Sequence, residues 1–294
     1  MVKLGFIGTG TVGSALALRL SARGYLVVAV SSRGKTSARN LAQSINCLAA
    51  DSNQAVADAA ELIFITTPDD VIAKVAAEVK WHVGQSVVHC SGADSTGSLE
   101  PARKSGARVG VIHPLQTFAS AKEAIENMPG STFALEAEEP LLTVLKEIAA
   151  DLEGHWIVLR AEDKVAYHAA AVIACNYLVT LVKLATDLWQ TFDVPTEQAV
   201  QALLPLIRGT IHNIETVGIP KCLTGPIARG DTGTIRKHID ALEKAAPAIL
   251  PAYRELGLQT IPIALAKGRI NQQQARELIE LIELIKTPDL IKIN

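Results

Sequence analysis

The sequence predicts an α/β fold, a doubly wound and mainly parallel sheet over residues 1–160, followed by an all-α domain over residues 161–294. Three observations predict it. Short β-branched runs alternate with helical patterns through the first half; a glycine-rich turn joins the first run to the first helix; and beyond Arg160 the strand runs stop and helical patterns continue alone.

Taken in order, the expected strands are Val2–Ile7, Leu26–Val30, Leu62–Ile65, Ser86–His89, Arg108–Ile112, Thr132–Leu135 and His155–Leu159, each a compact run rich in Val, Ile and Leu. Helical spacing between them marks Val12–Arg23, Ser37–Ser44 and Pro140–Leu152. The second domain reads as Glu162–Thr191, Thr196–Val217, Thr232–Ala245, Leu250–Leu256, Thr260–Lys267 and Asn271–Ile285.

Composition narrows the class of partner. Apolar residues at 49% and charged residues at 20% suit a folded chain with two cores. A net charge of −2 gives no electrostatic reason to bind nucleic acid or an anionic membrane, so a small molecule is expected. The cysteines Cys47, Cys90, Cys175 and Cys222 form no C-x-x-C pair, which argues against a zinc site and a disulfide framework. The sequence opens on a strand pattern and not on a basic head with an apolar run, so a cytoplasmic location is expected. Val165–Val182 is apolar enough to raise the question of a membrane span. His168, Asn176 and Thr180 interrupt it and no second span follows, so it reads as a buried helix.

The glycine-rich turn carries the first functional reading. Gly8-Thr9-Gly10-Thr11-Val12-Gly13 fits G-x-G-x-x-G at a strand–helix junction: Gly8 for the tight turn, Gly10 for close approach to a pyrophosphate, Gly13 for helix–strand packing. The helix N-terminus adds unpaired N–H groups for the phosphates. This is the loop of a Rossmann domain. An NAD-preferring site carries an acid near the end of the second strand, whereas here that place reads Ser31-Ser32-Arg33 and no acid occurs before Asp51. Two hydroxyls and a guanidinium suit a 2′-phosphate, so NADP is the expected cofactor.

Three later strand ends carry Thr66-Thr67-Pro68, His89-Cys90-Ser91-Gly92 and His113-Pro114. In an open parallel sheet ligands bind outside the carboxyl ends of the strands. Thr66, Thr67, Pro68 and His89 are therefore expected beside the cofactor, and Ser91 and His113 beside the substrate. No carboxylate or thiol cluster joins His89 and His113, and no metal is expected. On the helix that opens the second domain, Lys164 and His168 lie four apart and Asn176 eight further on, within one arc of about 120°. Carbonyl reduction needs a proton donor beside the nascent alkoxide; Lys164 suits it, with His168 sharing the role or orienting the substrate. Asn176 reads equally as structural or substrate-binding. Arg229, in Gly225-Pro-Ile-Ala-Arg-Gly-Asp231, has a fork suited to a substrate carboxylate.

These segments together resemble a family of oxidoreductases in the 6-phosphogluconate dehydrogenase-like group, a Rossmann domain plus a helical domain of formerly unknown function. The matching segments are Gly8–Gly13, His89–Gly92, His113–Phe118, Tyr167–Ala171 with Asn176-Tyr177, and Gly225–Asp231. Some members resemble an alternative type of ketopantoate reductase. Pyrroline-5-carboxylate reductases and β-hydroxyacid dehydrogenases are more distant. The resemblance implies a lysine proton donor, matched by Lys164, with His168 where an asparagine would stand; it also implies a homodimer joined through the helical domains. The leading expectation is an NADPH-dependent reduction of a small 2-oxo acid, with 2-dehydropantoate as the specific substrate. The alternatives are an imine reductase and a catalytically silent NADP-binding sensor.

Overall fold

The computed structural model describes residues 2–283. They fall into two compact units, Met1–Asn176 and Tyr177–Asn294. The last strand ends at Val158 and helices follow, while the first unit runs on to Asn176; Lys164 and Tyr167 of the first of these helices contact Ser91 and His113.

In the first unit the strands are β1 (Lys3–Ile7), β2 (Leu26–Ser31), β3 (Leu48–Ala49), β4 (Leu62–Ile65), β5 (Ser86–His89), β6 (Arg108–Leu115), β7 (Thr132–Ala137) and β8 (His155–Val158). They form one sheet in the order β3-β2-β1-β4-β5-β6-β7-β8. All neighbours are parallel except β6 and β7. Strand alternation splits the core between two faces. Leu4, Phe6, Leu62, Phe64 and Val88 pack against α1 (Thr11–Ala22), α2 (Lys35–Ile45) and α7 (Leu141–Asp151). Ile7, Ile63, Ile65 and Val87 pack against α3 (Asn53–Ala59), α4 (Asp69–Glu78) and α5 (Glu100–Lys104). Phe6 and Phe64 stack with centroids 4.7 Å apart.

Register decides where the site forms. Ser31, Ile7, Ile65, His89 and Val111 lie abreast on successive strands. The residues two positions on (Thr9, Thr67, Ser91 and His113) therefore emerge together at the carboxyl edge. The third of the expected strand ends needs correction. β6 continues past Ile112 to Leu115, with His113 and Pro114 paired to Ala134 and Phe133 of the antiparallel β7. Its pairing with β5 stops at Val111, so Pro114 interrupts no ladder on that side. The short strand β3 has no sequence signal of its own; it is defined by pairing with Ala29 and Val30. A short helix, α6 (Ala121–Asn127), links β6 to β7.

The helix expected over Glu162–Thr191 is two helices, α8 (Lys164–Ala174) and α9 (Asn176–Gln190). The backbone turns at Cys175, φ −111° and ψ −66°, so Asn176 does not continue the helical phase of Lys164 and His168. Nor is the segment buried: Val165, Ile173, Tyr177 and Val179 are exposed. Ala161–Gln190 is, by length and a hydropathy of 1.7, apolar enough to cross a membrane.

In the second unit α10 (Thr196–Val217) and α11 (Thr232–Ala245) fall where the pattern places them. The two helices expected at Leu250–Leu256 and Thr260–Lys267 are one, α12 (Leu250–Ala266). Gly257 is not a break but a contact: a Cβ there would lie 3.2 Å from Ile282 of α13 (Gln272–Glu283). Leu284 and Ile285, the end of the helix expected from Asn271, lie outside the described residues. Ile235, Ile239, Leu250, Ile261, Leu278 and Ile282 make this unit's core.

Candidate active site

The turn after β1 is built to hold a dinucleotide. Gly8 has φ +108°, and a Cβ there would lie 2.7 Å from the Thr66 backbone. A Cβ at Gly13 would lie 2.3 Å from the Gly8 carbonyl, so α1 can approach β1 only without a side chain. Gly10 is the contrast: nothing lies within 4 Å of its Cβ position, and it opens α1 with no side-chain cap. The first-turn N–H groups of α1 have no intrahelical acceptor, which together with this open space suits a pyrophosphate. Thr66 braces the turn, its hydroxyl donating to the Gly8 carbonyl at 2.6 Å. Thr67 Oγ1 is buried without a hydrogen-bond partner, a polar atom left for a ligand. Pro68 precedes the first turn of α4.

The turn after β2 is tied to the first. The Thr9 hydroxyl donates to Ser37 Oγ at 2.8 Å, and Ser37 Oγ donates to the Gly34 carbonyl at 2.7 Å. Ser31 is buried and its hydroxyl donates to Asn53 Oδ1 at 2.8 Å. Of the expected trio, Ser32 and the exposed Arg33 remain to face a 2′-phosphate. Ser37 and Asn53, which hold the two turns, were missed in the sequence because hydroxyl and amide residues outside a motif carry no signal.

At the carboxyl edge of β5 and β6 the side chains knit into one cluster. His89 is fully buried; its Nδ1 accepts from the Ser91 N–H at 3.1 Å and its Nε2 lies 3.0 Å from the Ser95 carbonyl. That pair of contacts fixes the Nε2–H tautomer. Burial pulls His89 below the ordinary histidine value. With both ring nitrogens engaged, His89 shapes the turn. Ser91 is likewise occupied: its hydroxyl donates to Asp69 Oδ2 at 2.7 Å and accepts from the Asp94 N–H at 3.0 Å.

The Ser91 carbonyl faces Lys164. This lysine is 1% exposed, and Nζ donates to Ser91 O at 3.2 Å. Burial lowers its pKa from the ordinary value, while the carboxylates of Glu136 and then Asp94 oppose the shift. One turn further along α8, Tyr167 OH and His113 Nδ1 are 2.8 Å apart. Burial pulls His113 down to about 4, with the Lys164 charge and then His168 adding to the effect. Burial also pushes Tyr167 up to about 12. The pair is therefore a neutral imidazole and a protonated phenol at neutral pH. The His168 ring meets His113 edge-on at 6.1 Å, and its Nδ1 is buried with no hydrogen-bond partner. Gly92 lies beneath both: a Cβ would come 2.6 Å from His168 Nδ1 and 2.9 Å from His113 Nε2.

The structure thus brings Lys164, His168, Ser91 and His113 together at the edge that carries the dinucleotide cradle. Tyr167 and Asp69 belong to the same cluster. Both stand within sequence segments already singled out, but only the fold shows their contacts. Asn176 is exposed at the start of α9. Arg229 lies in the second unit, on a turn beside Asp231.

Residues 3–92 match the family model described as NADP oxidoreductase coenzyme F420-dependent, and residues 131–260 match a domain of unknown function, DUF2520. No curated protein matches the chain. Among solved structures it is similar to a protein from Bacteroides fragilis provisionally described as an NADP oxidoreductase, with 26% identity, TM-score 0.73, and 89% of this chain and 98% of that one covered. A reductive aminase from Aspergillus terreus, in complex with NADPH, shares 16% identity at TM-score 0.64, covering 97% and 93%. A pyrroline-5-carboxylate reductase from Coxiella burnetii shares 18% at TM-score 0.60, covering 94% and 98%. With the cradle and the acid-free turn after β2, these matches support an NADP-binding Rossmann fold in the first unit, followed by a stretch similar to the DUF2520 model.

Proposed function

We propose that the chain is an NADPH-dependent reductase of a small 2-oxo acid, a member of the 6-phosphogluconate dehydrogenase-like group, with 2-dehydropantoate as the leading substrate. The observation that carries this reading is the buried Lys164 ammonium, held on the Ser91 carbonyl beside His113, Tyr167 and His168. When bound, NADPH supplies the hydride. Lys164 then delivers a proton to the substrate oxygen, and its ammonium stabilises the negative charge that develops there. Burial helps in two ways: it strengthens that attraction and makes the proton easier to release. His168 Nδ1, unpartnered, orients the substrate.

A second reading, reduction of an imine, is favoured by the likeness to the reductive aminase and the pyrroline-5-carboxylate reductase. A cationic iminium beside a charged lysine would be repelled, and this places the oxo acid first. A catalytically silent NADP-binding sensor would have no use for a buried lysine in the site. The reading also includes a cytoplasmic homodimer in which a second copy covers the apolar surface of α9 and α10. The test is NADPH oxidation by the purified protein over a panel of 2-oxo acids, 2-dehydropantoate included, and cyclic imino acids. Turnover with oxo acids and none with imines supports the proposal; the reverse establishes the second reading. No oxidation with either class would leave only the silent protein.

A further inference from the structure

In the second unit two loops face each other across a concavity of about 460 Å³, lined by Leu223, Thr224, Gly225, Ala228, Arg229, Lys267 and Arg269. Among the described residues its lining holds three cations and no carboxylate, in a chain whose 28 basic and 30 acidic residues nearly balance. Lys267 staples the loops, Nζ donating to the Leu223 carbonyl at 2.6 Å, and its remaining N–H groups stay available. Asp231, the acid that pairs with Arg229, does not neutralise the group. Asp231 caps α11, accepting from the Thr234 N–H at 2.9 Å and the Thr234 hydroxyl at 2.7 Å, while Arg229 reaches it only at 3.9 Å. That contact is solvent-exposed and weak. Backbone geometry keeps the concavity open: Gly225 has φ +94° with nothing within 4 Å of its Cβ position, and Gly268 has φ +73°.

We propose that this concavity binds a small organic dianion, a dicarboxylate or a phosphate monoester, through the forks of Arg229 and Arg269 with Lys267 as the third cation. One guanidinium suffices for a monocarboxylate, whereas like charges gathered without an acid call for at least two negative charges. The proposal extends the reading of Arg229 as an anion anchor and does not depend on which bond is reduced.

The test is calorimetric titration of the full chain at low ionic strength, with NADP at saturation so that the pyrophosphate cradle is filled. The probes are inorganic phosphate, succinate and acetate. The expected result is one site per chain with a Kd below about 1 mM for phosphate or succinate, and acetate at least about tenfold weaker. Phosphate alone binding identifies a phosphoryl ligand, and succinate alone a dicarboxylate. Arg229→Gln and Arg269→Gln should each weaken binding about tenfold or more without changing NADPH affinity, which also shows that the variants fold. No binding of either dianion at 10-fold above that limit (about 10 mM), or unchanged binding by the double variant, would overturn the proposal. Loss of reductase activity in the panel above with anion binding intact would count against the reduction alone.

Discussion

Lys164 separates a structural role from a chemical one. Its burial disfavours the charged form, so Lys164→Met should leave thermal stability unchanged or higher. Turnover of an oxo acid should fall by about 10²–10⁴-fold with NADPH affinity preserved. Near-normal turnover would remove Lys164 from the mechanism. Gly92→Ala should act through packing, because the added methyl meets His168 and His113; a loss of about 1–3 kcal/mol in denaturant unfolding is expected, with turnover lost as the two rings shift. Unchanged stability and rate would show that the rings yield freely. His113 sets a pH dependence. It binds a proton more weakly folded, at about 4, than unfolded, at about 6.5. Stability is full above about 6.5 and falls as the pH drops toward 4, the unfolded chain binding the extra proton. Buried His89 acts in the same direction. His113→Gln should flatten the acid limb of stability against pH, and an identical limb would place its origin elsewhere. At this scale the sequence showed the chemistry-bearing residues but not their partners. The contact of Tyr167 with His113 spans 54 positions, and that of Lys164 with Ser91 spans 73.

Elements were more legible than contacts, since periodicity is local. β4, β5, α10 and α11 fall where the pattern puts them, because their apolar runs are bounded by turn residues. The misreadings fall where a local signal did not decide the outcome. Gly257 looks like a helix break and proves to be a contact surface, Pro114 looks like a strand end and proves to be paired with Phe133 of β7, and Cys175 interrupts a helix with no glycine or proline to announce it. The turn after β2 offers a test at this scale. Arg33→Ala with Ser32→Asp removes a guanidinium and sets an acid where ribose hydroxyls would lie. NADP affinity should fall about tenfold or more relative to NAD. An unchanged ratio of NADP to NAD affinity in a direct titration would detach cofactor choice from this turn.

For the whole molecule, the exposed apolar surface calls for a covering. Val179 on α9 is 69% exposed, and Leu206 and Val217 on α10 are also open to solvent. Such a surface favours association. The protein should sediment as a dimer at micromolar concentration without detergent. A monomer at equilibrium would refute the dimer, and a requirement for detergent would point to lipid as the covering of α8 and α9. Introducing Asp at Val179 should weaken the dimer without disturbing the core built by Ile235, Ile261 and Leu278, which lies elsewhere in that unit.

Lys164 is anchored by the main chain at position 91, not by the side chain there. Every amino acid presents a carbonyl at that place, so the acceptor survives any substitution. A saturation library at position 91 should therefore yield a graded series, ranked by how well each replacement preserves the turn that Ser91 ties to Asp69. At position 164 the same library should be close to all-or-none. Tolerance to mutation thus divides unevenly between the two ends of a single hydrogen bond.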